Sequence, residues 1–147
     1  MNDAHLHLAL NHLPIIIPFV AVLVLIGGIV FKSEIIKRTA LLIFVLGAIC
    51  TLPAFATGEG AEEVVEELQG IDHHYIHEHE EAAETFALLS YALGLLAIVG
   101  LWANLKKKNF SNLIAIVVLL FSGVVLFFAK QTGTTGGEVR HTEIRGN

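Results

Sequence analysis

The sequence predicts an all-α integral membrane protein, and three observations support this fold class. The 147 residues are 54% hydrophobic and only 16% charged, whereas charged residues make up about 25% of a typical soluble domain. Four stretches are apolar over the roughly 17–25 residues that a helix needs to cross a bilayer. Lipid cannot satisfy the unpaired backbone groups of an open sheet, so each stretch is predicted to be a helix.

The four predicted spans belong to a single membrane domain that covers residues 1–147. Short connectors make consecutive helices antiparallel neighbours, which predicts an up-down-up-down four-helix bundle. We place the spans at about residues 13–31, 39–57, 85–105 and 110–130.

The connector between the second and third spans contains a further short helix. Within residues 61–69, the apolar residues Val64, Val65 and Leu68 share one side and glutamates occupy the rest. This pattern is typical of an amphipathic helix at the membrane interface. Gly70 can end this helix, and Asp72 is a good N-cap for the third long helix, which we expect to begin outside the membrane.

The charges of the connectors predict the orientation of the protein in the membrane. Residues 32–38 carry three basic side chains against one acid, residues 106–112 carry three lysines and no acid, and residues 59–84 carry many acids but no Lys or Arg. By the positive-inside rule, the two basic connectors are cytoplasmic. We therefore expect a multi-pass protein of the bacterial inner (cytoplasmic) membrane with both termini on the periplasmic side.

All eight histidines fall on the predicted periplasmic side: His5, His7, His12, His73, His74, His77, His79 and His141. Polar residues collect in long, hydrated loops, which accounts for the acids there, but eight histidines in 147 residues is a high content. We therefore expect some of them to be ligands. The net charge of −5 and the lack of a basic reading helix argue against nucleic acid as a partner.

The third helix offers two histidines for the interior of the bundle. Steps of about 100° per residue place His73, His77, Glu81 and Glu84 on one stripe. A carboxylate that faces lipid is costly, so Glu84 should face the bundle, and this predicts that His77 points inward. His79 lies on the opposite side, beside small residues, and remains the alternative.

The first functional hypothesis is a membrane electron-transfer protein that binds b-type haem. Four-helix bundles hold haem between facing helices through imidazole ligands. The leading pair is His12, at the start of the first span, and His77, with His79 as the alternative to His77. His7 and His141 can serve a second site or support the first. The chain has no Cys-x-x-Cys-His motif, so the haem is expected to be non-covalent.

Two alternatives remain open. The stripe of His73, His77, Glu81 and Glu84 suits Zn, Cu or non-haem Fe, which predicts an outward-facing metal-binding module. The third hypothesis is a structural subunit of a membrane complex. No hydrolase triad or nucleotide-binding motif is present, which favours a redox carrier or a subunit over a stand-alone enzyme. Besides the lipid bilayer, the expected partners are a redox protein or a quinone, with a homo-oligomer or a larger respiratory complex left open.

Three short motifs resemble a family of small bacterial four-helix membrane proteins of unknown function. The opening His7-Leu-Ala-Leu-Asn-His12-Leu-Pro14 is similar to the family's His-Pro-x-x-x-His-Phe-Pro, with Leu8 and Leu13 as departures. Ala56-Thr57-Gly58 and Gly136-Gly137-Glu138-Val139-Arg140-His141 match the family's later landmarks in order. Some family members are fused to Rieske or cytochrome c domains. The resemblance therefore implies electron transfer at the outer membrane face through b-type haem.

Overall fold

The structure is a computed structural model that describes residues 2–67 and 72–145. This part of the chain is helical and contains no strand. The elements are α1 (Asp3–Leu10), α2 (Leu13–Val30), α3 (Glu34–Ala56), α4 (Gly58–Glu66), α5 (His73–Leu105), α6 (Ser111–Arg140) and a final 3-10 turn (Thr142–Ile144). Four helical segments are long and apolar enough to cross a membrane, which confirms the predicted four-helix membrane bundle.

The four long helices α2, α3, α5 and α6 pack as sequential neighbours, and α2 closes the bundle against α6. The core side chains include Leu25, Phe44, Leu93 and Val118, while many Leu, Ile and Phe side chains point outward as a lipid-facing surface. Small residues let the helix backbones approach closely. A Cβ added to Gly94 of α5 would lie 2.5 Å from the Cβ of Ala48, so this crossing has no room for a side chain.

A pair of buried hydroxyl groups joins α3 to α5 inside the bundle. Thr51 Oγ1 donates to the carbonyl of Gly47 at 3.1 Å and lies 2.9 Å from Ser90 Oγ. Since the Thr51 proton is used on its own helix, the Ser90 hydroxyl donates between the helices. Each polar group thus finds a partner where lipid offers none.

A polar network stabilises one end of the bundle. This end is formed by residues 31–33 and 106–110 and is here called the lysine end. Lys37 is buried, and its Nζ donates to Glu34 Oε1 at 2.6 Å and to Asn112 Oδ1 at 2.5 Å. Asn104 accepts from Arg38 Nε at 2.5 Å and donates to Glu34. The network ties α3 to α5 and α6 and pairs the buried ammonium group, which would otherwise be very costly.

The helix boundaries confirm part of the sequence interpretation and extend it. Asp72 caps α5, because its Oδ1 accepts from the backbone N–H of His74 at 3.0 Å. The short helix α4 starts at Gly58, earlier than predicted, and the expected positions of Leu68 and Gly70 lie outside the described residues. The helix α6 continues to Arg140, well beyond the predicted span. It stays helical through its glycines because tertiary contacts, such as that from Thr132 Oγ1 to the Ala82 carbonyl at 3.0 Å, override local propensity.

Candidate functional site

The site lies at the opposite end of the bundle, the histidine end, formed by α1, α4, the first turns of α5 and the last turns of α6. The helix α1 begins where Asn2 Oδ1 accepts from the backbone N–H of His5 at 3.1 Å. It packs on α4 and on the end of α3, then turns at residues 11–12 into α2, which has Pro14 in its first turn. This short helix brings His7 to the end of α3.

The imidazole of His7 is anchored by its Nδ1 atom. Nδ1 lies 2.9 Å from the carbonyl oxygen of Ala54 and 3.3 Å from Thr57 Oγ1. A carbonyl oxygen can only accept, so Nδ1 carries the hydrogen and donates it. The Thr57 hydroxyl donates to the carbonyl of Pro53 at 2.8 Å and therefore also acts as an acceptor towards His7. The tautomer that results leaves the lone pair of His7 on Nε2.

The imidazole of His79, on α5, is anchored in the same way from α6. Its Nδ1 lies 3.2 Å from Thr135 Oγ1, and that hydroxyl donates to the carbonyl of Thr132 at 3.2 Å. Thr135 thus accepts from Nδ1–H, and Nε2 of His79 also carries the lone pair. Gly136 passes directly over this ring, where an added Cβ would lie 2.9 Å from Cε1 of His79.

The two anchored rings lie side by side, edge to face, between α1 and α5. Their centroids are 6.5 Å apart and their planes are inclined by 77°. Within the described ranges, Nε2 of neither ring has a hydrogen-bond partner. Metal–nitrogen bonds of about 2.0–2.1 Å on both sides of one ion would give a centroid separation of about 6 Å. The observed spacing is therefore close to that of two imidazoles that share an ion.

The donor set at this site suits a group that brings its own additional ligands. In the part of the chain that the structure describes, no three His, Cys, Asp or Glu side chains come together as a metal-binding group. Two imidazoles alone do not complete the coordination of a zinc ion, whereas a haem supplies four nitrogens and needs axial ligands only. Helix α6 packs closely on His79 at Gly136, where an added Cβ would lie 3.3 Å from Nε2, and a Cβ added at Gly58 would lie 3.9 Å from Cε1 of His7. Two imidazoles of this kind are a donor set that haem proteins use.

The other proposed haem ligands are on the surface. His12 is exposed at the start of α2 and makes no side-chain capping hydrogen bond. His141 Nδ1 lies 2.9 Å from Glu143 Oε1 in the exposed tail. The backbone N–H of Glu143 and then the His141 side chain hold the pKa of the Glu143 carboxyl below its usual value. Neither histidine approaches the ring pair in these contacts.

The prediction that His77 points into the bundle is wrong. The His77 side chain is 68% exposed, and its Nε2 lies 3.3 Å from Glu81 Oε1 on the same outward face. The sequence argument relied on Glu84 turning away from lipid, but Glu84 is itself exposed. Because Glu84 lies on the outer surface, its stripe faces outward, and His79 on the opposite side of α5 faces the bundle.

The histidines of the stripe proposed for a metal ion each pair with a different glutamate. His73 Nδ1 lies 3.0 Å from Glu66 Oε1 of α4, whereas His77 pairs with Glu81. Among the described residues, His73, His77, Glu81 and Glu84 do not gather into one site. The small-ion hypothesis for these four residues remains a prediction.

Sequence reasoning named both His7 and His79 but did not pair them, and it missed Thr57 and Thr135, which hold the two rings. Pairing required the fold of α1 against α3 and α4, which no periodicity in so short a segment encodes. The role of Thr135 could have been suspected from the sequence, because the next residue, Gly136, has no side chain and lets a ring pack beside the helix. No family model, curated protein or solved structure matches this chain in the three comparisons.

Proposed function

We propose that this chain is a membrane electron-transfer protein that binds b-type haem non-covalently through His7 and His79. The observation that carries the proposal is the pair of neighbouring imidazoles, each held through Nδ1 and with ring centroids 6.5 Å apart. Bound haem iron supplies a one-electron redox couple.

The groups behind the two rings prepare them for this role. The Ala54 carbonyl and the Thr57 hydroxyl orient His7, and the Thr135 hydroxyl orients His79. Such contacts fix the ligating tautomer and increase the basicity of the ligand nitrogen. The apolar core below the site, with Phe86 buried two turns along α5 from His79, excludes water from one side of the rings.

The charges of the connectors support a periplasmic location for the site. The lysines of the lysine end favour the cytoplasm, which puts the histidine end on the periplasmic side of a bacterial inner membrane. There, the site can exchange electrons with a redox protein or a quinone. The resemblance to a family with fused Rieske or cytochrome c domains also favours this role.

The test is the visible spectrum of the detergent-purified protein before and after reduction with dithionite. The proposal predicts a Soret band that shifts on reduction and is lost or strongly weakened in His7→Ala and in His79→Ala. His12→Ala and His77→Ala are matched controls, because both side chains are exposed, and they should retain the wild-type spectrum.

Other outcomes would decide against haem. A colourless protein with stoichiometric zinc, copper or iron by elemental analysis would favour the metal-binding alternative. A colourless and metal-free protein that also fails to bind added hemin would favour the third hypothesis, a structural subunit of a membrane complex. A haem spectrum that survives both His7→Ala and His79→Ala would place the ligands elsewhere.

A further inference from the structure

The lysine end of the bundle carries exposed positive charge that its own acid does not neutralise. Its four lysines are exposed, and within the described ranges none of them takes part in an ion pair: Lys32, Lys106, Lys107 and Lys108. The one acid within residues 31–39 and 104–112 is Glu34. Both of its oxygens are used, one by the buried Lys37 and the other by Asn104. The four exposed ammonium groups are therefore left for an anionic partner.

The two connectors that carry these lysines lie side by side. Arg38, in the first turns of α3, donates from Nε to Asn104 Oδ1 near the end of α5 at 2.5 Å. Lys37, the residue before it, donates to Asn112 Oδ1 in the first turn of α6, also at 2.5 Å. These contacts hold the start of α3 against both helices that flank residues 106–110. The four lysines therefore belong to one surface.

Two of the four lysines hold a backbone conformation that lysine does not favour. Lys32 and Lys107 have φ angles of 51° and 50°, in the left-handed region. Each follows the end of a helix at the position that glycine usually takes, and in both connectors the next N–H bonds to the carbonyl five residues earlier at 2.9 Å. A side chain makes this conformation less stable than it is with glycine. Because the strain recurs in both connectors, the side chains account for the two lysines better than the backbone does.

Apolar side chains place the lysine end at the level of the phospholipid headgroups. Trp102 is exposed near the end of α5, and Lys108 Nζ lies 5.6 Å from the centroid of its ring. Tryptophan is typical of the membrane–water interface. Phe31 and Ile35 are 76% and 73% exposed and continue the lipid-facing surface up to the lysines. The ammonium groups thus have apolar surface directly beside them.

We propose that the lysine end binds the phosphate headgroup of an anionic phospholipid, with Lys32 and Lys107 contributing one ammonium group from each connector. This inference goes beyond the proposed function and requires no haem. Ammonium groups bind phosphate as point charges, and basic side chains at the membrane surface are attracted to anionic lipids. An acidic soluble protein would match the charge but not the adjacent apolar surface, whereas a phospholipid matches both.

Trp102 provides a local readout, because it is the only tryptophan in the chain and lies beside Lys108. The full-length protein is reconstituted in mixed bilayers of phosphatidylcholine and phosphatidylglycerol, and one lipid at a time carries bromine atoms, which quench tryptophan fluorescence on contact. Quenching as a function of the lipid ratio gives the relative affinity for the two headgroups at the lysine end. The wild type should prefer phosphatidylglycerol by about tenfold or more.

A glycine variant separates the charge of the lysines from their effect on stability. Lys32→Gly combined with Lys107→Gly gives each turn the residue that its backbone favours, so the protein should be at least as stable as the wild type. Its preference for phosphatidylglycerol should fall by about fivefold or more, which corresponds to about 1 kcal/mol.

Two control variants test the role of the charge. Lys32→Arg combined with Lys107→Arg keeps the charge at the same backbone positions and should retain the preference for phosphatidylglycerol. Lys130→Gln removes an exposed lysine from the other half of α6 and should also retain it.

Equal affinities for the two lipids in the wild type overturn the inference. A glycine variant with the wild-type preference also overturns it, because the two lysines then do not bind the headgroup. An equal loss in the arginine variant, or in Lys130→Gln, would show that the effect does not come from charge at these two positions and would overturn it as well. None of these outcomes depends on the Soret spectrum, so the proposed function is tested separately.

Discussion

Replacing Thr135 by valine tests whether the anchor behind His79 prepares that ring for binding. Valine keeps the shape of threonine but removes the oxygen that lies 3.2 Å from Nδ1 of His79. The change leaves a half-buried N–H without this acceptor, which costs about 1–3 kcal/mol. Contacts of this kind behind a metal ligand are typically worth about 10–100-fold in affinity.

The lower end of that range applies here. The Thr132 carbonyl, which accepts from Thr135 at 3.2 Å, also faces the His79 ring and can take over part of the role of the hydroxyl. We therefore expect Thr135→Val to weaken hemin binding about tenfold, equivalent to about 1.4 kcal/mol. The assay is a Soret absorbance titration of the haem-free protein.

Two control variants sharpen this test. Thr135→Ser keeps the hydroxyl and should bind hemin like the wild type, whereas Thr134→Val removes a hydroxyl from an exposed neighbour and should have no effect. Wild-type affinity in Thr135→Val would refute the anchoring role. An equal loss in Thr134→Val would show that the effect does not come from the contact with His79.

Two further predictions concern the close packing at His79 and the network at the lysine end. Gly136→Ala places a Cβ 2.9 Å from Cε1 of His79, so the ring must move, and hemin affinity should fall by about tenfold or more. The Soret titration measures this loss of affinity. Gly123→Ala is the control, because its Cβ meets nothing within 4 Å, and it should bind hemin normally. Equal affinities in the two variants would contradict the packing argument. Asn104→Leu removes the buried amide that bonds to Arg38 and Glu34 and should lower the free energy of unfolding by about 1–3 kcal/mol. Unfolding in mixed SDS and detergent micelles, followed by circular dichroism, measures this loss of stability. The loss should exceed that caused by Asn109→Leu, which replaces an exposed asparagine. A loss of the same size in both variants would show that the network adds no stability.

The membrane architecture could be predicted because it depends on the length and composition of local segments. Four apolar stretches of sufficient length, short connectors and a capping residue at Asp72 determine helices that the structure confirms. The boundaries were less accurate where packing decides them. The apolar stretch predicts a fourth span at about residues 110–130, but α6 remains helical to Arg140, where contacts with α5 support it.

The candidate site could be predicted only in outline. The order of the predicted spans placed all eight histidines at one end of the bundle, and helical periodicity separated His77 from His79 on opposite faces of α5. Which face turns inward depended on Glu84, whose exposure the sequence does not encode. The pairing of His7 with His79 joins residues far apart in the chain and arises from the docking of α1, which is a tertiary event.

The most direct test of the central claim, that His7 and His79 are the two protein ligands of one haem, is the electron paramagnetic resonance spectrum of the ferric haem-loaded protein. We predict a low-spin signal typical of two imidazole ligands in the wild type, in His12→Ala and in His77→Ala. His7→Ala and His79→Ala should each convert it to a high-spin signal or abolish it. A low-spin signal that persists in both of these variants, or that disappears in His77→Ala, would contradict the account.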